Sequence, residues 1–285
     1  MHFGVAMFLT EHTVRPGPLA RAVEERGFES LWVTEHSHIP ASRQSPWPGG
    51  GELPEEYYGL LDPFVSLAFA AQATRSLKLG TGICLVAQRD PIQTAKAVAT
   101  IDVLSGGRFL FGVGGGWNRE EMRNHGTPFG ARWEMLRERI EAMKQIWTHH
   151  EATYRGETLC FERIVAEPKP TQKPHPPIHV GGAFPGGMKR ALRYGNGWIP
   201  LRGRGDDDVA KHMTAFRQAA EGAGRDPDSL EVTLYACPPD AGLVERCAEA
   251  GVSRVVFRLP GEGSDGVKRF LDRLRDLSRA GAPEA

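Results

Sequence analysis

Short apolar runs rich in Val, Ile and Phe alternate along this chain with longer segments whose apolar residues return every three or four positions, and the alternation persists toward the C-terminus. Runs of that length and composition predict buried strands, and the three-to-four spacing predicts amphipathic helices. The strand-like runs are HFGVAMF (2–8), SLWVT (30–34), LKLGTGI (77–83), RFLFGVG (108–114), PIHVG (177–181), GWIPL (197–201), EVTLYA (231–236) and RVVFRL (254–259). Helical segments such as GPLARAVEERG, PIQTAKAVATIDVLSGG and RWEMLRERIEAMKQIWTHH lie between them, and GVKRFLDRLRDLSRAG closes the set. Asp62-Pro63 and Asp90-Pro91 suit helix starts, while Gly27, Gly106 and Gly195 suit helix ends.

Eight strands, each followed by a helix, predict an α/β fold of the (β/α)8 TIM-barrel type, in one domain spanning 1–285. In such a barrel the functional groups sit on the loops after the strands' C-terminal ends. Two stretches break the rhythm. Residues 37–61 leave that end after the second strand and read as a lid. Residues 151–176 form an insertion before the fifth strand, with TYRGETLCFERIV as a hairpin followed by a proline-rich return.

Composition removes several classes of function. Lys plus Arg equals Asp plus Glu, 35 against 35, and the charges are scattered, so neither nucleic acid nor an anionic membrane is an expected partner. No apolar run approaches the ~20 residues of a membrane helix and no export signal is evident, so the reading is a soluble, cytoplasmic protein. Cys84, Cys160, Cys237 and Cys247 are widely spaced among mostly apolar neighbours, which predicts buried thiols rather than disulfides or a zinc site.

The positions just after each strand are the candidates for chemistry. TEHSHIP places Glu35, His36 and His38 after the second strand. The H-x-H spacing raises a metal-dependent barrel hydrolase as a rival reading, but the other strand ends supply too few ligands to complete such a site. His38 alone reads as a solvated loop residue, and His36 as either a packed or a functional histidine. There is no G-x-S-x-G elbow and no lysine at a strand end, so the chain offers no activated nucleophile. Histidine and glycine loops without a nucleophile or a metal set point to a bound cofactor that carries the difficult step.

Two glycine loops could seat one. GVGGGW follows the fourth strand and VGGAFPGG the fifth, and each lets backbone N–H groups approach a flat ring or a phosphate. The first is not a dinucleotide fingerprint: counted from Gly112, the required sixth-position glycine is Trp117. Trp117 and Trp198 could line an apolar pocket or fill the core.

The ordered series GFESLWVTEHSHIP, DPIQTAKAVATIDVLSGGRFLFGVGGGWNREE, EPKPTQKPHPPIHVGG and ALRYGNGWIP resembles the bacterial luciferase-like flavin superfamily, and most closely its actinobacterial oxidoreductases dependent on the deazaflavin F420. The resemblance covers nearly the whole chain. It implies a (β/α)8 barrel, commonly a homodimer, with the ring of F420, or alternatively FMN, at the C-terminal mouth. It places a proton-handling pair on Glu35 and His36, with neighbours such as Glu35 orienting the histidine. It also places a bulge, in many relatives containing a non-prolyl cis peptide, on Gly82 and Ile83. The ring-flanking loop falls on Gly114, Gly115 and Gly116, with Trp117 and Asn118 beside it; the phosphate or ribityl loop falls on Gly181, Gly182 and Ala183. The implied activity is hydride transfer to or from a small organic substrate, with an FMN monooxygenase served by a separate reductase as the alternative. One departure matters: F420-dependent sugar-phosphate dehydrogenases of the superfamily carry an acidic residue where this chain has Trp117, so their activity does not transfer.

Overall fold

The computed structural model describes residues 1–200 and 209–280. Eight parallel strands close into a barrel in the order β1 (His2–Met7), β10 (Arg254–Arg258), β9 (Glu231–Cys237), β8 (Gly197–Ile199), β7 (Ile178–Gly181), β4 (Phe109–Val113), β3 (Lys78–Thr81) and β2 (Ser30–Val33). These are the eight predicted strands, seven of them shortened at an end and β9 longer by one residue. β2, β4 and β7 are buried at every residue because helices cover the outside while side chains fill the inside, which is why their sequences read as unbroken apolar runs. Leu201, the predicted loop RGRG and the start of the predicted helix DDDVAKHMTAFRQAAEGAG lie outside the described residues.

Helices α1 (Pro16–Glu24), α2 (Pro63–Ala73), α3 (Pro91–Leu104), α5 (Arg132–Thr148), α6 (Gly186–Tyr194), α7 (Ala210–Gly222), α8 (Ala241–Ala250) and α9 (Ser264–Ala280) accompany the barrel strands, and a short α4 (Arg119–Asn124) leaves the end of β4. The Asp-Pro starts work as expected: Asp62 accepts from Val65 N and Asp90 from Gln93 N. Gly27 and Gly106 turn the chain out of their helices with φ of 78° and 67°. Gly195 does not; its φ of −102° and ψ of 175° are extended, so it ends α6 by straightening the chain into β8. At the other end of α2, Arg108 donates to the carbonyls of Ala71 and Thr74, and to that of Leu77 at the approach to β3.

Inside the barrel, Trp32 is fully buried with Ala6, Leu110, Ile199 and Val256, and Ile83 and Tyr235 pack against this cluster from the C-terminal side. Gly80 makes the room: a Cβ there would stand 2.4 Å from the Trp32 ring. The N-terminal end is plugged by Arg254, which is 0% exposed and bonds Glu29, Glu231 and Thr233.

The insertion forms the expected hairpin, β5 (Glu151–Arg155) paired antiparallel with β6 (Cys160–Val165). The Glu138 carboxylate of α5 accepts from the N–H groups of Glu157 and Thr158 at its turn, fastening it to the barrel. Because this small sheet lies outside the main core, Cys160 is exposed, against the expectation of a buried thiol; Cys84, Cys237 and Cys247 are buried as expected. Among the described residues no helix is long and apolar enough to cross a membrane.

Candidate functional site

His36 follows β2 and is 9% exposed. Its Nδ1 lies 2.7 Å from Oε2 of Glu121, a carboxylate in the first turn of α4 that is only 1% exposed. The second carboxylate oxygen accepts from Ser37 N at 3.1 Å, so the carboxylate is held in place from both sides. On the other side of the ring, Trp117 Nε1 donates to His36 Nε2 at 3.3 Å. An indole nitrogen can only donate, and an ionised carboxylate can only accept. The neutral ring therefore carries its proton on Nδ1, toward Glu121, and a lone pair on Nε2. A histidine held this way can take a proton at Nε2, with a buried negative charge waiting to stabilise the resulting imidazolium.

The sequence pairing of Glu35 with His36 is corrected by the structure. Neighbouring residues of an extended chain project to opposite sides. Glu35 accordingly turns to the β3 loop, accepting from Leu85 N at 2.7 Å and pairing with Arg89, which also reaches Asp62 at 3.0 Å. It braces that loop, and Glu121 orients His36. Burial, and next the charge of Glu35, push the Cys84 thiol well above its ordinary value, so Cys84 is an inert filler under the loop.

The Gly82–Ile83 peptide bond is cis, as the resemblance implied. Ile83 then occupies the space between the two glycine loops. A Cβ on Gly114 would stand 1.9 Å from Ile83 Cδ1, and one on Gly181 would stand 3.2 Å from its Cγ2. A Cβ on Gly82 would meet the Tyr235 ring at 2.4 Å, and the Tyr235 hydroxyl lies 3.2 Å from Thr34 Oγ1. Burial pushes the Tyr235 phenol up to about 12, so it is neutral at ordinary pH. Gly115 abuts Trp133, Gly116 takes the left-handed φ of 67°, and Gly182 O accepts from Trp198 Nε1 at 2.7 Å. Trp198 is fully buried and stacks on Phe216, so it is core; Trp117 is the tryptophan that meets the site. Ala183, half-buried, accepts from Gly187 N where the β7 loop enters α6. These glycines let Ile83, Trp133 and Arg190 approach the backbone of the two loops closely.

Asn118 acts locally, its side chain capping α4 by accepting from Glu121 N at 3.1 Å. His38 lies within hydrogen-bond reach of Ser37 Oγ and Asn124 Nδ2, away from His36. Among the described residues no three His, Cys, Asp or Glu side chains are grouped to hold a metal ion. The long loop 37–61 folds across the mouth. Its Tyr57 packs 5.5 Å from the His36 ring and 5.1 Å from Phe8, and Trp47 donates to the Tyr57 hydroxyl at 3.3 Å. Sequence reading missed Glu121, Tyr57 and Tyr235. Asn118-x-x-Glu121 carries the spacing of a helix capping box, which masks the carboxylate's use elsewhere.

Comparison with solved structures agrees with the barrel fold. Residues 15–238 match the family model described as luciferase-like monooxygenase. An uncharacterised protein of Mycobacterium tuberculosis is 40% identical over 279 residues, covering 96% of this chain and 97% of its own. The F420-dependent hydroxymycolic acid dehydrogenase of the same organism is 30% identical over 254 residues, covering 86% of this chain and 66% of its own. Among solved structures, the monooxygenase RslO1 from Streptomyces bottropensis superposes with a TM-score of 0.78 at 20% identity, covering 98% of this chain and 99% of that one. The chain belongs to the luciferase-like monooxygenase family.

Proposed function

We propose that the protein is an oxidoreductase that uses the deazaflavin F420 to exchange hydride with a small organic alcohol or carbonyl compound, with His36 as the proton-handling residue. The observation that carries this reading is the His36 ring: Nδ1 on a buried carboxylate, and Nε2 left as an acceptor that the Trp117 N–H meets. The F420-dependent dehydrogenase relative supports the choice of cofactor. Gly114, Gly115, Gly181 and Gly182, which pack against Ile83, Trp133 and Arg190, are the residues that would hold the ring. When bound, the deazaflavin supplies two-electron hydride chemistry.

The protein's own residues handle the proton. In the oxidative direction His36 Nε2 accepts the substrate hydroxyl proton while Nδ1–H stays on Glu121. In the reductive direction Nε2–H returns a proton to the product oxygen. The Trp117 N–H must leave Nε2 for either exchange. Tyr57, Trp47 and Phe8 give the mouth an aromatic wall, which excludes water and favours apolar substrates. A placed general base contributes ~10² to 10⁴ in rate.

The test is a fluorescence titration with F420 and FMN, followed by turnover of His36→Ala. Tight F420 binding with a loss of roughly 100-fold or more in turnover is expected. Preference for FMN would move the protein to the monooxygenase branch, and full activity of the variant would remove His36 from the mechanism. A homodimer is part of the same reading. α2 and α3 leave Val65, Phe69 and Leu104 59%, 65% and 67% exposed, and a groove of about 880 Å³ between α1 and α2 adjoins Val65 and Phe69.

A further inference from the structure

The Ser37 side chain joins the buried pair of His36 and Glu121 to two histidines nearer the surface. Ser37 Oγ stands 2.6 Å from His125 Nε2 at the end of α4, 2.9 Å from His38 Nδ1 on the loop after β2, and 3.4 Å from Glu121 Oε1. Three neighbours thus share an oxygen that has one proton to give and two lone pairs to receive.

Their roles follow from the atoms that cannot change theirs. Asn124 Nδ2 can only donate, and it lies 2.9 Å from His38 Nε2. That nitrogen therefore accepts, and the His38 proton sits on Nδ1, directed at Ser37 Oγ. A second proton on His38 would set its Nε2–H against the Asn124 N–H. His125 meets no such opposition: its ring faces Ser37 Oγ and, 5.5 Å between centres, His38. Arg123, the cation of its own helical turn, acts on Glu120 instead, and Glu121 lies beyond the serine. Hydrogen bonds from a hydroxyl to a carboxylate run to about 2.5–2.7 Å. The 3.4 Å gap to Glu121 therefore marks a hydroxyl turned elsewhere, toward Nε2 of a neutral His125.

Protonation of His125 reverses that contact. Nε2 then carries a hydrogen and must donate, Ser37 Oγ accepts from both rings, and the acceptor left for its own proton is Glu121 Oε1. The proton on His125 comes from solvent; only the Ser37 O–H turns, and no proton passes along the chain. Glu121 gains a hydrogen bond beside the one it already accepts from Ser37 N, and a carboxylate so engaged offers less charge to an imidazolium on its other oxygen. Tyr57, the other titratable group facing His36, has its phenol pushed up by burial and stays neutral, so Glu121 supplies the charge that matters.

We propose that Ser37 and His125 are positioning residues of the proton-handling site: the Ser37 hydroxyl carries the protonation state of His125 to Glu121 and so sets how firmly His36 holds its proton. The proposal rests on the reading of His36 above. A protonated His125 makes His36 a weaker base and a stronger acid. Acidification then slows the oxidative direction and favours the reductive one, in which Nε2–H gives its proton to the product oxygen.

The experiment follows the ring nitrogens of isotope-labelled histidine by NMR in the full-length protein from about pH 5 to 9, without cofactor. In the native protein the His36 titration should show a second inflection where His125 titrates, with proton affinity lowered about threefold. Ser37→Ala, which keeps the backbone N–H that holds Glu121, should give a single His36 step, and Ser37→Thr should restore the second. His125→Gln should remove it as well, and the pH profile of oxidative kcat/KM should lose the same inflection in both Ser37→Ala and His125→Gln. An inflection that persists in Ser37→Ala would assign the linkage to charge acting through space and overturn the role of the hydroxyl. A single His36 step in the native protein would overturn the proposal without any variant. Failure of F420 and FMN to bind would remove the oxidoreductase reading, while the spectra of the cofactor-free protein still decide the linkage.

Discussion

Replacing Glu121 by Gln tests the site at its most buried point. The carboxylate makes two demands that an amide cannot meet together. His36 Nδ1–H and Ser37 N–H both need an acceptor, at 2.7 and 3.1 Å from the two carboxylate oxygens, and a carboxamide offers one oxygen and one NH2. Either Ser37 loses its anchor or the His36 ring must turn over its tautomer. The lost charge adds to this. Unit charges 4 Å apart interact by about 4 kcal/mol at an effective dielectric of 20, so a half-formed imidazolium loses about 2 kcal/mol, ~30-fold in rate. With the hydrogen-bond conflict of ~1 to 3 kcal/mol, the chemical step should slow by about 10² to 5 × 10³. Single-turnover absorbance of the deazaflavin isolates that step from product release. Cofactor affinity should hold, because Glu121 faces His36 and Ser37 rather than the glycine loops. A single-turnover rate within threefold of native would refute the reasoning.

The remaining expectations concern stability and assembly. Gly80→Ala drives a methyl into the rigid Trp32 ring and should cost about 1 to 3 kcal/mol in urea denaturation, whereas Gly130→Ala meets nothing within 4 Å and should be close to neutral. His179 is fully buried and burial lowers it from 6.5 to about 4, so it is neutral in the fold. Between those values only the unfolded chain binds the proton, so this contribution to stability is complete above pH 6.5 and falls as pH drops toward 4. Over the whole window it amounts to about 3 kcal/mol. Comparison of urea midpoints at pH 7.5 and 5 with those of His179→Gln would isolate it, since the lowered Glu29 and Glu231 lose their contributions only below about pH 4.5. Phe69→Glu should dissociate the proposed dimer in light scattering; an unchanged mass, or a native monomer, would remove α2 from the interface.

The barrel was legible because its strands are buried on both faces and its helices on one, and that difference is written as two spacings. The Asp62 and Asp90 caps and the hairpin around Gly156 followed from local chemistry alone. His36 and the two glycine loops were legible from their places after the strands, and the Gly82–Ile83 bulge only through the resemblance. Glu35 beside His36 suggested a partnership, but Glu35 is taken up by Leu85 N and Arg89. The true partner, Glu121, stands 85 positions away and is disguised as a capping residue. Cys160 misled for a related reason: its neighbours are apolar, but they belong to a two-stranded sheet outside the barrel, where nothing covers the thiol.

The Trp117 contact gives the resting site a directional sense. Its N–H already occupies the one free lone pair of His36, so an arriving molecule displaces it without loss only by bringing a donor of its own. An alcohol carries one, whereas a ketone finds a partner there only when Nε2 is protonated, as in the reductive direction proposed above. The indole thus acts as a resident competitor that sorts visitors by hydrogen-bond polarity before chemistry begins. It does so without offering the base a proton that could be abstracted by mistake.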